Sequence, residues 1–280
     1  MPDLHNVVEK TIALGGILKK LAATALSAPQ SDGAVAVAYS GGLDSRFLIH
    51  MAQRNGIAVQ ALHVQGPHIP SHEQTYAVQW AAQAGVPLTI LECDPLSLPE
   101  MAQNPKDRCY HCKKFLFTLL RDTAGDLPLC DGTNASDLGK YRPGLKALAE
   151  LAIRSPLAEA GMTKQDIHTV ATATGMADPH QASQSCLLTR FGYNTPITRL
   201  QLLAVDAAEK ATREVFAKHG ITDAPFRIRF EDAQTPALHT SIKTIPPGFA
   251  SDVGNAVEKA GLSGIRIRQM ETLSGYFDNE

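Results

Sequence analysis

A serine- and glycine-rich turn is the part of this chain best suited to chemistry. Residues 40–45 read Ser-Gly-Gly-Leu-Asp-Ser and lie between an apolar run and a helix-like segment. Two glycines let the backbone approach a ligand closely, and the N–H groups of a first helical turn favour an anion. Ser40 and Ser45 add hydroxyl donors, and Asp44 can cap the helix or help to hold a metal ion beside phosphates. The turn therefore predicts a phosphate-binding loop.

The spacing in this turn distinguishes it from two common phosphate-binding motifs. No Gly-Lys-Ser/Thr follows, as a Walker A loop requires, and the dinucleotide fingerprint G-x-G-x-x-G is absent. The turn resembles the PP-loop of the ATP pyrophosphatases, which split ATP into AMP and pyrophosphate. The alternative is a turn whose Asp and Ser only cap the helix. The resemblance implies ATP and Mg²⁺ as cofactors and an ATP site formed by Ser40, Gly41, Gly42, Asp44 and Ser45.

Composition limits the class of protein and the kind of partner. A hydrophobic content of 44% and a charged content of 19% are typical of a soluble globular protein. We expect a cytoplasmic protein without a membrane partner, since no apolar run approaches a membrane span and no secretory pattern opens the chain. The net charge of −2 argues against a nucleic-acid partner.

Alternating strand and helix patterns predict an α/β fold. Short apolar runs bounded by turn residues are typical of buried parallel strands, and helical spacing separates them. We therefore expect a parallel sheet with helices on both faces, in which ligands bind at the carboxyl ends of the strands. The predicted strands are 34–39, 57–64, 86–91 and 127–130, and the predicted helices are 4–28, 46–53, 72–84, 109–123 and 164–174.

The pattern changes near residue 190, which divides the chain into two predicted domains. Residues 1–190 form the PP-loop domain with its N-terminal helix. Residues 191–280 form a smaller α+β domain for substrate binding or oligomerisation. The second domain contains predicted helices at 201–219 and 249–260 and predicted strands at 226–230 and 264–268.

Three of the five cysteines form a candidate cofactor site. Cys109 and Cys112 make a Cys-x-x-Cys, which suits a redox pair, half a zinc site or part of an iron–sulfur site. With Cys186, three thiolates can hold a [4Fe–4S] cluster and leave one iron open to an exogenous sulfide. Cys93 and Cys130 lie in or beside apolar strands, where cysteine usually serves as a small buried hydrophobe.

Longer motifs resemble a known family. Residues 131–138 read Asp-Gly-Thr-Asn-Ala-Ser-Asp-Leu, and Tyr-Arg-Pro-Gly-Leu-Lys-Ala follows at 141–147. Ile-Arg-Ser-Pro-Leu at 153–157 and Cys-Leu-Leu-Thr-Arg-Phe at 186–191 complete the set. Together they resemble the LarE family, the ATP-dependent sulfur transferases of nickel-pincer cofactor synthesis.

This resemblance implies a reaction and a small-molecule nucleotide substrate. ATP adenylates a carboxylate of pyridinium-3,5-biscarboxylic acid mononucleotide, sulfur attacks the acyl adenylate, and AMP leaves. In one branch of the family the cysteine at the position of Cys186 gives up its own sulfur. In the other, a Cys-x-x-Cys joins it to hold a [4Fe–4S] cluster. Because this chain carries Cys109, Cys112 and Cys186, it resembles the cluster type.

The resemblance also implies residues that bind the substrate phosphate. Arg227 and Arg229 match a family pair and, as alternate residues of a strand, share one face. Thr189 stands where the family usually has serine, and Arg190 follows it. Two departures bear on the substrate: Gly-Tyr-Asn at 192–194 replaces the usual Pro-Tyr-Gly, and residues 230–240 do not follow the family pattern.

Three other functions stay open at this point. A tRNA thiolation enzyme also uses a PP-loop and three cysteines, although the near-neutral charge argues against it. An amide-forming synthetase would not need Cys186, and a non-catalytic nucleotide or metal binder would release no pyrophosphate. Family members form hexamers, so the resemblance also implies a homo-oligomer.

Overall fold

The computed structural model describes residues 4–25, 33–139, 144–182, 184–222, 224–231 and 235–279. By contacts between residues the chain divides into two compact units. The first comprises Met1–Gln65, Glu73–Cys93 and Cys109–Gln184, and the second Gly66–His72, Asp94–Arg108 and Ser185–Glu280. The domain boundary at residue 190 stays a prediction.

The first unit is built on a four-stranded parallel sheet. Strand β1 lies inside the sheet and is buried on both faces. Successive side chains of a strand point to opposite faces, so Val35 and Val37 pack in one apolar core and Ala36 in the other. The sheet order is β3-β2-β1-β4, and every pairing is parallel. The strands are β1 (Ala34–Ala38), β2 (Ala58–Gln65), β3 (Leu88–Glu92) and β4 (Leu129–Cys130).

Helices cover both faces of this sheet. Leu14, Phe47 and Ile167 pack in the core that contains Val35 and Val37. Phe117 and Leu148 pack in the opposite core. The helices are α1 (Leu4–Ala22), α2 (Leu43–Arg54), α3 (Ser71–Gln83), α4 (Arg108–Ala124), α5 (Gly144–Glu150), α6 (Pro156–Glu159) and α7 (Lys164–Ala173). The predicted α/β fold is confirmed.

The second unit is a smaller α+β structure. Its sheet has the order β5-β6-β7, with β5 and β6 antiparallel and β6 and β7 parallel. The elements are α8 (Arg199–Lys218), β5 (Phe226–Phe230), β6 (Pro236–Thr240), α9 (Phe249–Lys259) and β7 (Arg266–Gln269). The apolar core includes Phe216, Ile228, Leu238 and Phe249.

Several element assignments differ from the sequence-based expectation, and the short helices α5 and α6 were not predicted. Helix α1 ends at Ala22, earlier than the predicted residue 28, and residues 26–32 lie outside the described part of the chain. The buried strand β6 was not predicted, because its sequence Pro-Ala-Leu-His-Thr has no apolar–polar alternation.

None of the described helices is both long and apolar enough to cross a bilayer.

Helix α1 offers a matched test of the first core. Leu14 is fully buried, whereas Leu4 on the same helix is 67% exposed. We expect Leu14→Ala to lower the free energy of unfolding by about 2–5 kcal/mol because it leaves a cavity. Leu4→Ala should change it by less than about 0.5 kcal/mol. Urea unfolding followed by circular dichroism measures both, and equal losses would contradict this packing.

Candidate functional site

The loop between β1 and α2 has the geometry of a ligand cradle. Gly41 has φ +81°, and a Cβ atom there would lie only 2.6 Å from the Cβ of Ala77. Ser45 Oγ donates to the carbonyl oxygen of Gly42 at 3.1 Å and lies 3.2 Å from Ser40 Oγ. Helix α2 begins at Leu43, so the N–H groups of its first turn have no intrahelical acceptor.

A second glycine lies against this loop at the end of the neighbouring strand. Strands β1 and β4 are paired, so the residues that follow them share one edge of the sheet. A Cβ atom on Gly132 would lie 2.9 Å from the backbone nitrogen of Ser45 and 3.3 Å from the Cβ of Asp44. The Asp-Gly after β4 is thus more than a turn signal, because any side chain at position 132 would enter the first turn of α2.

Charged groups beside the loop are held in defined positions. Lys164, at the start of α7, places its Nζ 2.7 Å from Asp44 Oδ1, and both side chains are partly exposed. Asp131 is buried, and its carboxylate accepts hydrogen bonds from Ser155 Oγ at 2.6 Å and Thr133 Oγ1 at 2.5 Å. A lysine therefore pairs with the loop residue Asp44, and a carboxylate held by two hydroxyls directly precedes Gly132.

The Cys-x-x-Cys occupies the first turn of α4. A spacing of three places Cys109 and Cys112 on the same helix face, and Cys109 is exposed while Cys112 is half-buried. Beside them the Tyr110 hydroxyl donates to Glu150 Oε2 at 2.9 Å, and Lys114 Nζ lies 3.0 Å from the same oxygen. Two accessible thiols one turn apart suit metal binding or redox chemistry.

The cysteines fit a cluster only in part. Thiolates are the usual ligands of iron–sulfur clusters, and Cys109 and Cys112 supply two of them from one face. Within the described ranges, no group of three or more His, Cys, Asp or Glu side chains is arranged to hold a metal ion. The third predicted ligand, Cys186, belongs to the second unit. Its place in a cluster stays a prediction.

Both remaining cysteines are buried, as expected. Cys93 is 6% exposed and Cys130 is fully buried in β4. Burial is the main cause that raises the pKa of the Cys130 thiol to about 12, so this thiol stays protonated at neutral pH. Cys130 is therefore an apolar packing residue.

In the second unit, Cys186 directly precedes a short 3-10 helix, Leu187–Arg190. The carbonyl oxygen of Cys186 accepts hydrogen bonds from the backbone N–H of Thr189 at 3.1 Å and from Thr189 Oγ1 at 2.7 Å. The hydroxyl of Thr189 thus stabilises the turn that carries the cysteine.

A fully buried arginine holds the same turn. Arg190 Nη1 donates to Ser185 Oγ at 2.8 Å, to Thr189 Oγ1 at 2.9 Å and to the Cys186 carbonyl at 3.4 Å. Its Nε and Nη2 bind the two oxygens of Glu209 at 2.7 and 3.0 Å. A bidentate pair of this kind fixes both the charge and the orientation of the guanidinium.

The predicted phosphate-binding residues lie close together in this unit. Arg227 Nε donates to Ser185 Oγ at 3.4 Å, so that hydroxyl contacts Thr189, Arg190 and Arg227. Arg229 is buried, and its Nη1 donates to His239 Nδ1 at 3.0 Å. Burial, with the charges of Arg190 and Arg227, lowers the pKa of Arg229 to about 10.

Four contact residues were not predicted as site residues: Lys164, Ser155, Ser185 and Glu209. Lys164 and Glu209 contact partners that are distant along the chain, so no local motif identifies them. Ser155 lies within a family-like motif and Ser185 directly precedes one, but neither position alone indicates which side chain its hydroxyl contacts. The stretch Tyr-Arg-Pro at 141–143, part of the family-like motif, lies outside the described residues.

Several curated proteins are similar to this chain, although no protein-family model matches it. An uncharacterized Synechocystis protein is 33% identical over 62% of this chain and 66% of its own length. The pyridinium-3,5-bisthiocarboxylic acid mononucleotide synthase of Lactiplantibacillus plantarum is 32% identical over 69% of this chain and 72% of its own length. An uncharacterized Methanocaldococcus jannaschii protein is 30% identical over 64% of this chain and 69% of its own length. The chain spans about two thirds of the length of these relatives.

The Arg190–Glu209 pair can be tested by removing its carboxylate. Glu209→Ala leaves a buried guanidinium without its counter-charge, so we expect a loss of about 3–5 kcal/mol in the free energy of unfolding. Glu258→Ala, at an exposed position of α9, should cost less than about 0.5 kcal/mol. Urea titration compares the two variants. A small effect for both would show that the ion pair does not support this turn.

Proposed function

Because this chain belongs to the LarE family, we propose that it is an ATP-dependent sulfur transferase of nickel-pincer cofactor biosynthesis. Its substrate is pyridinium-3,5-biscarboxylic acid mononucleotide, in which one carboxylate becomes a thiocarboxylate. One observation supports this proposal most directly: Gly41 packs closely against Ala77, and Gly132 against the first turn of α2, so that the backbone forms a cradle. This cradle lies at the carboxyl ends of the strands, where parallel sheets bind nucleotides.

The first step of the proposed reaction is activation of the carboxylate. A carboxylate oxygen attacks the α-phosphorus of ATP, the bond to pyrophosphate breaks, and an acyl adenylate forms. The loop of residues 40–45 binds the phosphates through the N–H groups of α2, and Lys164 adds positive charge beside it. The contact with Lys164 uses Oδ1 of Asp44, so Oδ2 is the oxygen that would bind Mg²⁺.

Charge in the second unit supports an anchor for the substrate phosphate. The charges of Arg190 and Arg227 add to the effect of burial in lowering the pKa of Arg229, and Glu209, which pairs with Arg190, opposes them. Arg229 Nε is buried and has no hydrogen-bond acceptor in the described part of the chain. A phosphate would accept hydrogen bonds from Arg227 and Arg229, and Thr189 completes the proposed set by holding the adjacent turn through its hydrogen bond to the Cys186 carbonyl. Arg190 contributes charge while its own hydrogen bonds hold the turn.

The second step is transfer of sulfur. A sulfur nucleophile attacks the acyl carbon, the bond to the adenylate oxygen breaks, and AMP leaves with the proton balance completed by solvent. Cys109, Cys112 and Cys186 are the proposed ligands of a [4Fe–4S] cluster, which supplies an iron site for sulfide when bound. The proposal includes a cytoplasmic homo-oligomer, expected from the family resemblance to be a hexamer.

Activation can be tested by exchange of labelled pyrophosphate into ATP in the presence of the mononucleotide. Gly41→Ala places a methyl group 2.6 Å from Ala77 and must displace the loop. We expect exchange to fall about a hundredfold, the loss typical of a 1 Å misplacement of reacting groups.

Gly56→Ala is the matched control for this substitution. Gly56 also has a positive φ, +74°, but a Cβ atom there meets nothing within 4 Å. This variant should retain exchange near the wild-type rate, because it introduces backbone strain away from the loop. Equal losses in both variants, or no mononucleotide-dependent exchange in the wild type, would contradict the proposed activation step.

The sulfur source can be tested by anaerobic reconstitution and chemical analysis. Cys109→Ala, Cys112→Ala and Cys186→Ala should each lose most of the bound iron and acid-labile sulfide, because each removes a thiolate ligand. Cys93→Ala, at a buried position, should load like the wild type. A wild-type protein that holds only zinc, or that loses one sulfur from Cys186 during turnover by mass spectrometry, would contradict the cluster.

A further inference from the structure

Arg46 is a fully buried arginine that lies directly behind the nucleotide loop. It belongs to the first part of α2, and its backbone N–H donates to the carbonyl oxygen of Gly42 at 3.1 Å. That bond closes the loop onto the helix. The backbone of Arg46 is therefore fixed by the same turn that would receive the phosphates.

The side chain of Arg46 holds a segment far along the chain. Its Nη1 donates to the carbonyl oxygen of Ala177 at 2.7 Å, and its Nη2 donates to that of Asp178 at 3.0 Å. Nε and Nη2 also bind Gln181 Oε1 at 3.2 and 2.7 Å. Four hydrogen bonds from one guanidinium thus fix residues 177–181, although Ala177 and Asp178 are themselves exposed.

The guanidinium is buried, and its hydrogen-bond partners among the described residues are neutral oxygens rather than carboxylates. Its central carbon lies 5.4 Å from the ring centre of Tyr76 and 5.6 Å from that of Trp80, distances typical of cation–π contacts. Burial lowers the pKa of Arg46, while Tyr76 and Asp178 oppose this effect. Burying a charge costs free energy, and only the planar guanidinium of arginine offers donors in fixed directions to several acceptors at once. We therefore assign Arg46 a positioning role that a neutral side chain would not fill.

The segment 177–181 includes one strained backbone position, which its contacts hold in place. Asp178 has φ +48°, in the left-handed region that L-residues rarely occupy. Its carboxylate accepts a hydrogen bond from the Tyr76 hydroxyl at 2.6 Å, and the Pro179 carbonyl lies 2.7 Å from His168 Nδ1. Groups from α2, α3 and α7 therefore fix one short exposed segment.

We propose that Arg46 is a positioning residue that couples occupation of the nucleotide loop to the conformation of residues 177–181. Its backbone closes the loop, and its side chain fixes the segment, so a ligand that orders the first turn of α2 also orders that segment. The segment leads along the chain toward Cys186, five positions after Gln181. This inference rests on the proposal that residues 40–45 bind ATP.

Hydrogen exchange measured by mass spectrometry tests this coupling, with α,β-methylene-ATP and Mg²⁺ as the probe. In the wild type, the nucleotide should slow exchange both in residues 40–46 and in residues 177–182. Arg46→Lys keeps a positive charge but loses the planar fork that reaches three residues at once. In this variant we expect protection of 40–46 to remain and nucleotide-dependent protection of 177–182 to fall about tenfold, as loss of one or two hydrogen bonds implies.

Two further variants make the result decisive. Arg54→Lys changes an exposed arginine in the last turn of the same helix and should behave like the wild type. Gln181→Ala removes two of the four hydrogen bonds of Arg46 from the side of the segment, so the nucleotide-dependent protection of 177–182 should fall while Arg46 and the protection of 40–46 stay intact. This variant tests the coupling if Arg46→Lys fails to fold.

The outcomes separate the two proposals. Protection of 40–46 together with unchanged nucleotide-dependent protection of 177–182 in Arg46→Lys and Gln181→Ala would overturn the coupling and leave the ATP site standing. No protection of 40–46 in the wild type would overturn the ATP site, and the coupling with it. A merely structural Arg46 would raise exchange of 177–182 equally with and without nucleotide, which also overturns the coupling.

Discussion

The parallel pairing of β1 with β4 is the constraint on which the rest of the candidate site depends. It brings the residues after both strands to one edge, so Gly132 lies against the first turn of α2. At that distance the backbone itself forms the wall of the cradle. Side chains then add charge around it, with Lys164 on Asp44 and two hydroxyls on Asp131. Because the backbone forms this wall, Gly41 and Gly132 are the positions that accept a side chain least well.

Among the described residues four arginines are buried, and three of them, Arg46, Arg190 and Arg229, are each stabilised differently around the predicted site residues. Arg190 is paired with a carboxylate, Arg46 with neutral oxygens and aromatic rings, and Arg229 with a histidine and a carbonyl oxygen. Because burial of a charge is costly, its partners must be well placed. The first two arginines have structural acceptors for most of their donors. Arg229 retains a buried Nε without an acceptor in the described structure, which is why an anion is proposed beside it.

Sequence reasoning identified the fold and the loop because both follow from local patterns. The β1–loop–α2 unit is encoded by an apolar run, two glycines and a helix start, all within residues 34–54. The contacts of Glu209, Lys164 and Arg46 depend on partners distant in the chain, and a single sequence has no signal for such pairs. Strand β6 was missed for a related reason, since its burial comes from its neighbours on both sides rather than from its own pattern.

The close packing of Gly41 against Ala77 limits which residues can be substituted at either position. Ala77 has no chemical function, yet its methyl group fixes how far the loop backbone can move toward α3. The carbonyl oxygen of Ala77 is in turn held by the Tyr39 hydroxyl at 2.9 Å, so helix α3 cannot easily withdraw. Positions 41 and 77 should therefore be under joint selection, with a larger residue at either one excluded by the other. Redesign of the nucleotide pocket from this side has to change both together.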